Sequence, residues 1–217
     1  MGAVWAIVVA AGAGRRFGGS KQYELIHGRT VLDWSLSAAR RACDGVVAVV
    51  PEGDADRGIS ASPEPDAVVA GGQTRSASVR AGLVAVPDGA AVIVVHDAAR
   101  PLAGPALWEA AIAAVEAGAD AAVCAVPVTD TIKRVDGALV IETIDRAGLV
   151  EVQTPQAFRA GALRVAHAAA GEASDDAALV ERCGGRVVTV PGSPHNLKVT
   201  HPHDLAVAAA LAGWAST

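Results

Sequence analysis

No apolar run in the 217-residue sequence is long enough to span a bilayer, and no basic segment precedes the apolar stretch that follows Met1-Gly2-Ala3. Neither membrane insertion nor export is therefore expected, and the chain reads as cytoplasmic. Cysteine is scarce. Cys43, Cys124 and Cys183 are odd in number, far apart and free of C-x-x-C spacing, so they read as reduced, mostly buried thiols. Lysine is just as scarce, with Lys21, Lys133 and Lys198 the only three among eighteen basic residues. A compact ammonium does not replace a planar guanidinium where geometry is tight, so all three are candidates for function. A net charge of −5 counts against nucleic acid as a general partner.

Two phosphate-binding fingerprints are also incomplete. After Gly12 and Gly14 the third position of G-x-G-x-x-G is Phe17, and the strand Val46–Val50 is followed by Pro51 where a ribose-binding acid would stand. Lys21 is followed by Gln22, so the hydroxyl of a P-loop is missing. What is present is an apolar run from Val4 to Ala11 that leads into a small, Gly-rich loop carrying Arg15, Arg16 and Lys21. The run reads as a buried parallel strand, and the loop as a place where backbone N–H groups and three cations can hold a phosphate chain.

Strand-like and helical runs alternate along most of the chain. Thr30 caps a helix expected to reach Ala42, Val46–Val50 is a strand, and Pro51–Asp66 reads as a surface connection. A strand at Val68–Ala70, a helix from Ser76 to Val86, a strand at Ala91–His96, a helix opening on Pro105 and a strand at Ala121–Ala125 follow. This is a doubly wound α/β pattern. Between Val128 and Leu149 it is broken by a hairpin signal with Asp136-Gly137 at the tip, suited to cover an active site or to pack on a second subunit. Helices near Ala160–Ala170 and Asp175–Cys183, a strand at Val187–Val190 and a helix from Pro202 complete the reading.

Ligands of open α/β sheets bind beyond the carboxyl ends of the strands. Asp97 in His96-Asp97-Ala98-Ala99-Arg100-Pro101 can hold a magnesium ion that bridges phosphates, or can cap the following turn; His96 reads as a structural hydrogen-bonding group. Gly71-Gly72 and Ser78 form a second loop able to receive a base or ribose. Asn196-Leu197-Lys198-Val199-Thr200 is expected to place Lys198 at the end of a late strand.

These segments, with Ala10-Ala11-Gly12-Ala13-Gly14-Arg15-Arg16, Lys21-Gln22-Tyr23, Asp130-Thr131-Ile132-Lys133, Asp145-Arg146 and Thr154-Pro155-Gln156, resemble the 2-C-methyl-D-erythritol 4-phosphate cytidylyltransferase family in the same order along nearly the whole chain. The resemblance implies a Rossmann-like, mostly parallel sheet of the nucleotidyltransferase type. It also implies one domain over 1–217, with an arm at about 128–149 that reaches across a homodimer. CTP is expected to have its base read by Ala10, Ala11, Gly72 and Ser78, and its phosphates along Gly12, Ala13 and Gly14 to Lys21. Magnesium is expected near Asp97, and Arg16 and Lys21 are expected to stabilise the transition state. Thr131 and Arg146 on the arm are expected to serve the other subunit's acceptor, and Arg146 and Lys198 to position its phosphate, with Asp97, Arg100 and Thr154 close by. The chain departs from many relatives in its short Phe17-Gly18-Gly19-Ser20 connection, in Gln73 and in Ser174-Asp175, and its end at Thr217 suggests a single-function form. No Ser/His or Cys/His nucleophile is present, as expected of a reaction in which a phosphate monoester is itself the nucleophile.

Overall fold

The computed structural model describes residues 2–169 and 171–214. The expected helix end at Ala170, and the chain ends at Met1 and Thr217, lie outside them. In chain order the elements begin with β1 (Ala3–Val9), a ribbon of β2 (Leu25–Ile26) and β3 (Arg29–Thr30), α1 (Val31–Ala42), β4 (Gly45–Val50) and α2 (Glu52–Arg57). Next come β5 (Ala67–Ala70), α3 (Arg75–Ala85), β6 (Ala90–Asp97), α4 (Pro105–Glu116) and β7 (Ala121–Pro127). The chain continues through β8 (Ile132–Asp136), β9 (Leu139–Ile144), β10 (Val150–Arg159), α5 (Ala160–Ala169), α6 (Asp176–Arg182), β11 (Val187–Pro191) and α7 (Pro202–Trp214).

Local chemistry accounts for the helix starts. The Thr30 hydroxyl accepts from the Asp33 N–H at 3.0 Å and the Asp33 carboxylate accepts from the Thr30 N–H at 3.2 Å, a reciprocal capping box. Thr74 and Asp175 cap α3 and α6 by accepting from Ala77 and Ala178 N–H groups, and Pro105 opens α4.

Seven strands form one sheet in the order β11-β7-β10-β6-β1-β4-β5, parallel throughout except for β10, which runs antiparallel to both neighbours. Successive strand residues serve opposite faces. Ala6, Val8 and Val94 pack with Leu36 of α1 and Trp108 of α4. Ile7, Ile93 and Phe158 pack with Val79 of α3, Leu163 of α5 and Leu179 of α6 on the other side. Both faces are covered, so β4 is buried along its whole length. A third cluster seats Ala208 and Ala212 of α7 on Ile26, Val31 and Val199. From β1 the chain passes to β4 and β5 on one side, and β6 returns to the other side. The switch point is thus the crevice beyond the ends of β1 and β6, where an open α/β sheet receives its ligand.

Three expectations are corrected. The connection Pro51–Asp66 contains the short helix α2. A central strand, β10, occupies Val150–Arg159, a stretch that the alternation did not mark as a strand. Its polar middle interrupts any apolar run, and the register shifts between Gln153 and Gln156, leaving Pro155 in the irregularity where no ladder N–H is required. Finally, Lys198 stands on a loop beyond β11 and not at a strand end; Asn196 pins that loop through Nδ2, which donates to Gln153 Oε1 at 3.1 Å and to the Thr154 carbonyl at 2.9 Å.

The hairpin β8–β9 leaves the sheet between β7 and β10, closed at its base by Val128 N–H on the Leu149 carbonyl at 3.3 Å. Gly137 at its tip has φ 55°, as the tight turn requires. Val135, Leu139, Val140 and Ile141 on it are all more than half exposed. Among the described residues Cys43 and Cys124 are buried, Cys183 is exposed, and burial pushes the first two thiols up to about 12. No described helix is long and apolar enough to cross a membrane.

Candidate active site

The loop after β1 is folded tightly upon itself. The Gly14 carbonyl accepts from the Phe17 and Gly18 N–H groups, each at 2.8 Å. Gly14 has φ +60°, and a Cβ there would lie 1.8 Å from the Gly19 carbonyl oxygen, so the turn needs glycine. Arg15 and Arg16 are exposed on this loop, and among the described residues no carboxylate pairs with either. Lys21 opens a short 3-10 turn and sends Nζ to the Val199 carbonyl at 2.7 Å. Burial lowers its ammonium pKa from the ordinary value, and the nearby Lys198 and Arg16 charges push the same way. Asp97 and Asp204 offset this only in part, so Lys21 remains a half-buried cation, a fitting partner for a phosphate.

At the end of β6, Asp97 is buried and shared between two cations. Lys198 Nζ donates to Oδ2 at 2.5 Å and Arg75 Nε to Oδ1 at 3.1 Å. Burial alone would raise the Asp97 carboxyl, yet Arg75 and Lys198 hold it well below the usual carboxylate range. The Asp97 N–H donates to Thr154 Oγ1 at 3.0 Å, whose hydroxyl faces His96 Nδ1 at 3.2 Å, and His96 Nε2 reaches the Arg100 carbonyl at 3.1 Å. This chain is consistent with a neutral imidazole. Burial lowers His96 to about 4, so the ring stays uncharged at neutral pH. His96 is therefore a structural hydrogen-bonding group, and the Thr154 hydroxyl is spent inside the protein as a brace for Asp97. Arg100 Nη1 donates to the Asn196 carbonyl at 2.7 Å.

A cavity of about 360 Å³ lies over the switch point. It brings together Ala10, Ala11, Gly12, Ala13, Lys21, Gly72, Ser78, Asp97 and Lys198. Gly14 and Arg16 stand on the adjoining loop, and Arg100 and Thr154 lie behind Asp97. Ser78 closes the second loop, accepting from the Gly72 N–H at 3.2 Å and donating to the Thr74 carbonyl at 3.0 Å. A Cβ on Gly71 would stand 2.2 Å from Ala11 Cβ, so the two loops touch. Thr131 and Arg146 are not brought to this cavity; both are exposed on the arm, where Arg146 Nη1 donates to the Thr129 carbonyl. Lys133 is not brought to this cavity either; it lies on the arm, where it bonds Thr143 across the hairpin at 2.5 Å. A larger cavity of about 1010 Å³ between α1, α4 and α7 is lined by Trp34 and Leu107 and has no carboxylate. The convergent charges favour the smaller one as the reaction site.

Sequence reasoning gave Arg75 no role. It lines the cavity, and its Nη1 donates to the fully buried Asp176 at 2.6 Å, which also accepts from His167 Nε2 at 2.9 Å. One signal was available, since the first turn of a helix favours acids and α3 opens on a cation. Gln22, Gln73 and Thr74 also line the cavity.

Among the described residues Asp97 is the only carboxylate lining the cavity, and no cluster of three or more His, Cys, Asp or Glu able to hold an ion occurs. That donor set fits Mg²⁺, which is commonly held by one or two carboxylates plus substrate phosphates. An ionised carboxylate offers about four lone-pair sites, so those engaged by Arg75 and Lys198 do not exhaust it.

The family profile described as IspD, 2-C-methyl-D-erythritol 4-phosphate cytidylyltransferase, matches residues 4–213. The chain is 46% identical to the 2-C-methyl-D-erythritol 4-phosphate cytidylyltransferase of Rhodococcus opacus, over 97% of this chain and 95% of that one. It is 45% identical to the bifunctional enzyme IspD/IspF of Anaeromyxobacter dehalogenans over 94% of this chain, and so spans only 56% of that relative's length. The crystal structure of 2-C-methyl-D-erythritol 4-phosphate cytidylyltransferase from Thermus thermophilus superposes with a TM-score of 0.82 at 34% identity, covering 95% of this chain and 98% of that one. Fold, loop chemistry and relatives agree, and the chain belongs to the IspD family of 2-C-methyl-D-erythritol 4-phosphate cytidylyltransferases.

Proposed function

We propose that the chain transfers the cytidylyl group of CTP to 2-C-methyl-D-erythritol 4-phosphate, giving 4-diphosphocytidyl-2-C-methyl-D-erythritol and pyrophosphate in isoprenoid precursor biosynthesis. The observation that carries this reading is the convergence of Lys21, Asp97 and Lys198 with two glycine loops over the switch point. An acceptor phosphate oxygen forms the new bond to the α-phosphorus as the bond to pyrophosphate breaks. A phosphate monoester needs no general base at neutral pH, which suits a site where buried His96, next to Asp97, is held neutral.

Catalysis then consists of bringing two polyanions together and neutralising the charge that builds between them. Ala10, Ala11, Gly72 and Ser78 receive the base, and the Gly12–Gly14 backbone and Lys21 receive the phosphates. Arg16 and Lys21 offset charge on the equatorial and leaving oxygens. Asp97 would hold Mg²⁺ together with the triphosphate, and the ion would neutralise phosphate charge. Lys198 fixes the acceptor phosphate, with Arg100 beside it.

The remaining acceptor contacts, Thr131 and Arg146, do not reach the cavity of their own chain. We assign them to the arm of a second copy in a homodimer whose contact includes the arm's exposed apolar side chains, Val135 and Val140 on one face of the hairpin and Leu139 and Ile141 on the other. The cytoplasm, where thiols stay reduced, suits the unpaired cysteines; neither nucleic acid nor membrane has a part in the reaction.

The test is magnesium-dependent pyrophosphate release from CTP, with methylerythritol 4-phosphate and ribitol 5-phosphate offered separately. Release with the first alone is expected. Release only with ribitol phosphate would keep the chemistry and overturn the acceptor, and silence with both would overturn the reaction.

A further inference from the structure

Arg75, Asp176 and His167 come from the starts of α3 and α6 and the last turn of α5, the three helices on one face of the sheet. They form a line that ends on Asp97. Arg75 is claimed by two carboxylates, and the bonds are unequal: Nη1 to Asp176 is 2.6 Å, Nε to Asp97 is 3.1 Å. The Asp176 side chain is wholly buried, and its second oxygen is taken by His167 Nε2. Because Nε2 faces a carboxylate it carries the hydrogen, while buried Nδ1 has no partner. Asp176 does not line the cavity, so it reaches the chemistry only through Arg75.

A guanidinium and a carboxylate left to themselves favour the two-pronged fork. Here the fork is not made. Asp97 receives Nε alone, and its other oxygen is left to Lys198 at 2.5 Å. A buried carboxylate is a costly way to fasten one helix to another, since apolar packing does so without desolvating a charge.

We propose that Asp176, steadied by His167, is a positioning residue for cytidylyl transfer: by holding Arg75 it keeps that guanidinium from closing as a fork on Asp97, so that Asp97 stays shared with Lys198 and the acceptor phosphate meets a fixed ammonium. The proposal rests on the role assigned above to Lys198.

Four substitutions in the whole chain test it and its premise. Asp176→Asn keeps the shape and removes the charge; kcat is expected to fall about ten- to a hundredfold, as for a misplaced reacting group. CTP affinity, measured by titration calorimetry, is expected to change less than about threefold, because the glycine loops are untouched. His167→Leu, which removes the donor, is expected to lower kcat in the same way, whereas His167→Gln presents an amide N–H and restores most of it. If Asp176→Asn does not fold, the two His167 variants decide the matter. A folded Asp176→Asn with kcat within about twofold of the parent, or equal losses in both His167 variants, overturns the proposal. Lys198→Ala separates it from its premise. If that variant keeps acceptor KM and kcat, the premise fails; if it is impaired while Asp176→Asn is not, the positioning role alone fails.

Discussion

Lys21 shows how a single residue is prepared for a polyanion. Half burial and the neighbouring Lys198 and Arg16 charges make its ammonium easier to deprotonate than an ordinary lysine of 10.5. A depressed lysine pKa means that the binding-competent charge is present at neutral pH and is lost, as pH rises, earlier than in an ordinary lysine. In kcat/KM for CTP, which reports the free enzyme, an alkaline limb is expected below pH 10.5. Bound phosphates raise the same group, so the limb in kcat lies at higher pH. Lys21→Arg should lose the limb, because guanidinium does not titrate there, and Arg16→Ala or Lys21→Ala should lower kcat about 10²–10³-fold, ~2.7–4 kcal/mol. Rate profiles for the parent and these variants check this; a limb that survives in Lys21→Arg refutes the assignment. Lys21, Asp97 and Lys198 were legible in the sequence because charged residues in an apolar chain stand out. Arg75 and Asp176 were not, because their meeting spans 101 positions and leaves no local spacing.

Helices with local start signals announced themselves. Thr30 with Asp33, and Pro105, are local chemistry, so α1 and α4 fall within a residue or so of where the sequence put them. β10 did not, since its identity as a strand is conferred by β6 and β7 on either side of it. The turn between β5 and α3 is a second element whose sequence understates its constraint. Gly71 is there because a Cβ would stand 2.2 Å from Ala11 Cβ and 2.9 Å from Ser78 Oγ. Gly71→Ala is expected to cost about 1–3 kcal/mol of stability by overpacking. Because the strain falls where the two glycine loops touch, KM for CTP is also expected to rise. Urea unfolding and steady-state kinetics on the one variant measure both, and unchanged values in both would show that the loops are not in contact.

For the whole molecule the decisive feature is where the arm is attached. Val150 pairs with Pro127, and Val128 bonds Leu149, so the two ends of the arm leave neighbouring strands side by side. A two-residue turn in place of residues 132–144 should therefore leave the sheet intact. We expect such a chain to be a monomer by light scattering, to bind CTP with affinity within about threefold of the parent, and to lose at least about a hundredfold in transfer to the acceptor. A dimer that persists, or transfer that does, contradicts the role given to the arm. The hairpin itself was readable from Asp136-Gly137; what it packs against was not, because its apolar side chains stay exposed on both faces among the described residues.

The antiparallel strand also has a consequence in time. β10 lies between β6 and β7, yet it is translated after both. Until Arg159 has left the ribosome, the run Val92–Val95 of β6 has a partner on one side only, and the sheet stands open at its centre. Folding is therefore completed late in synthesis, and its slowest contacts are non-local. A chain stalled or truncated before β10 would display an apolar, unpaired strand edge, the kind of surface that draws other chains into aggregates.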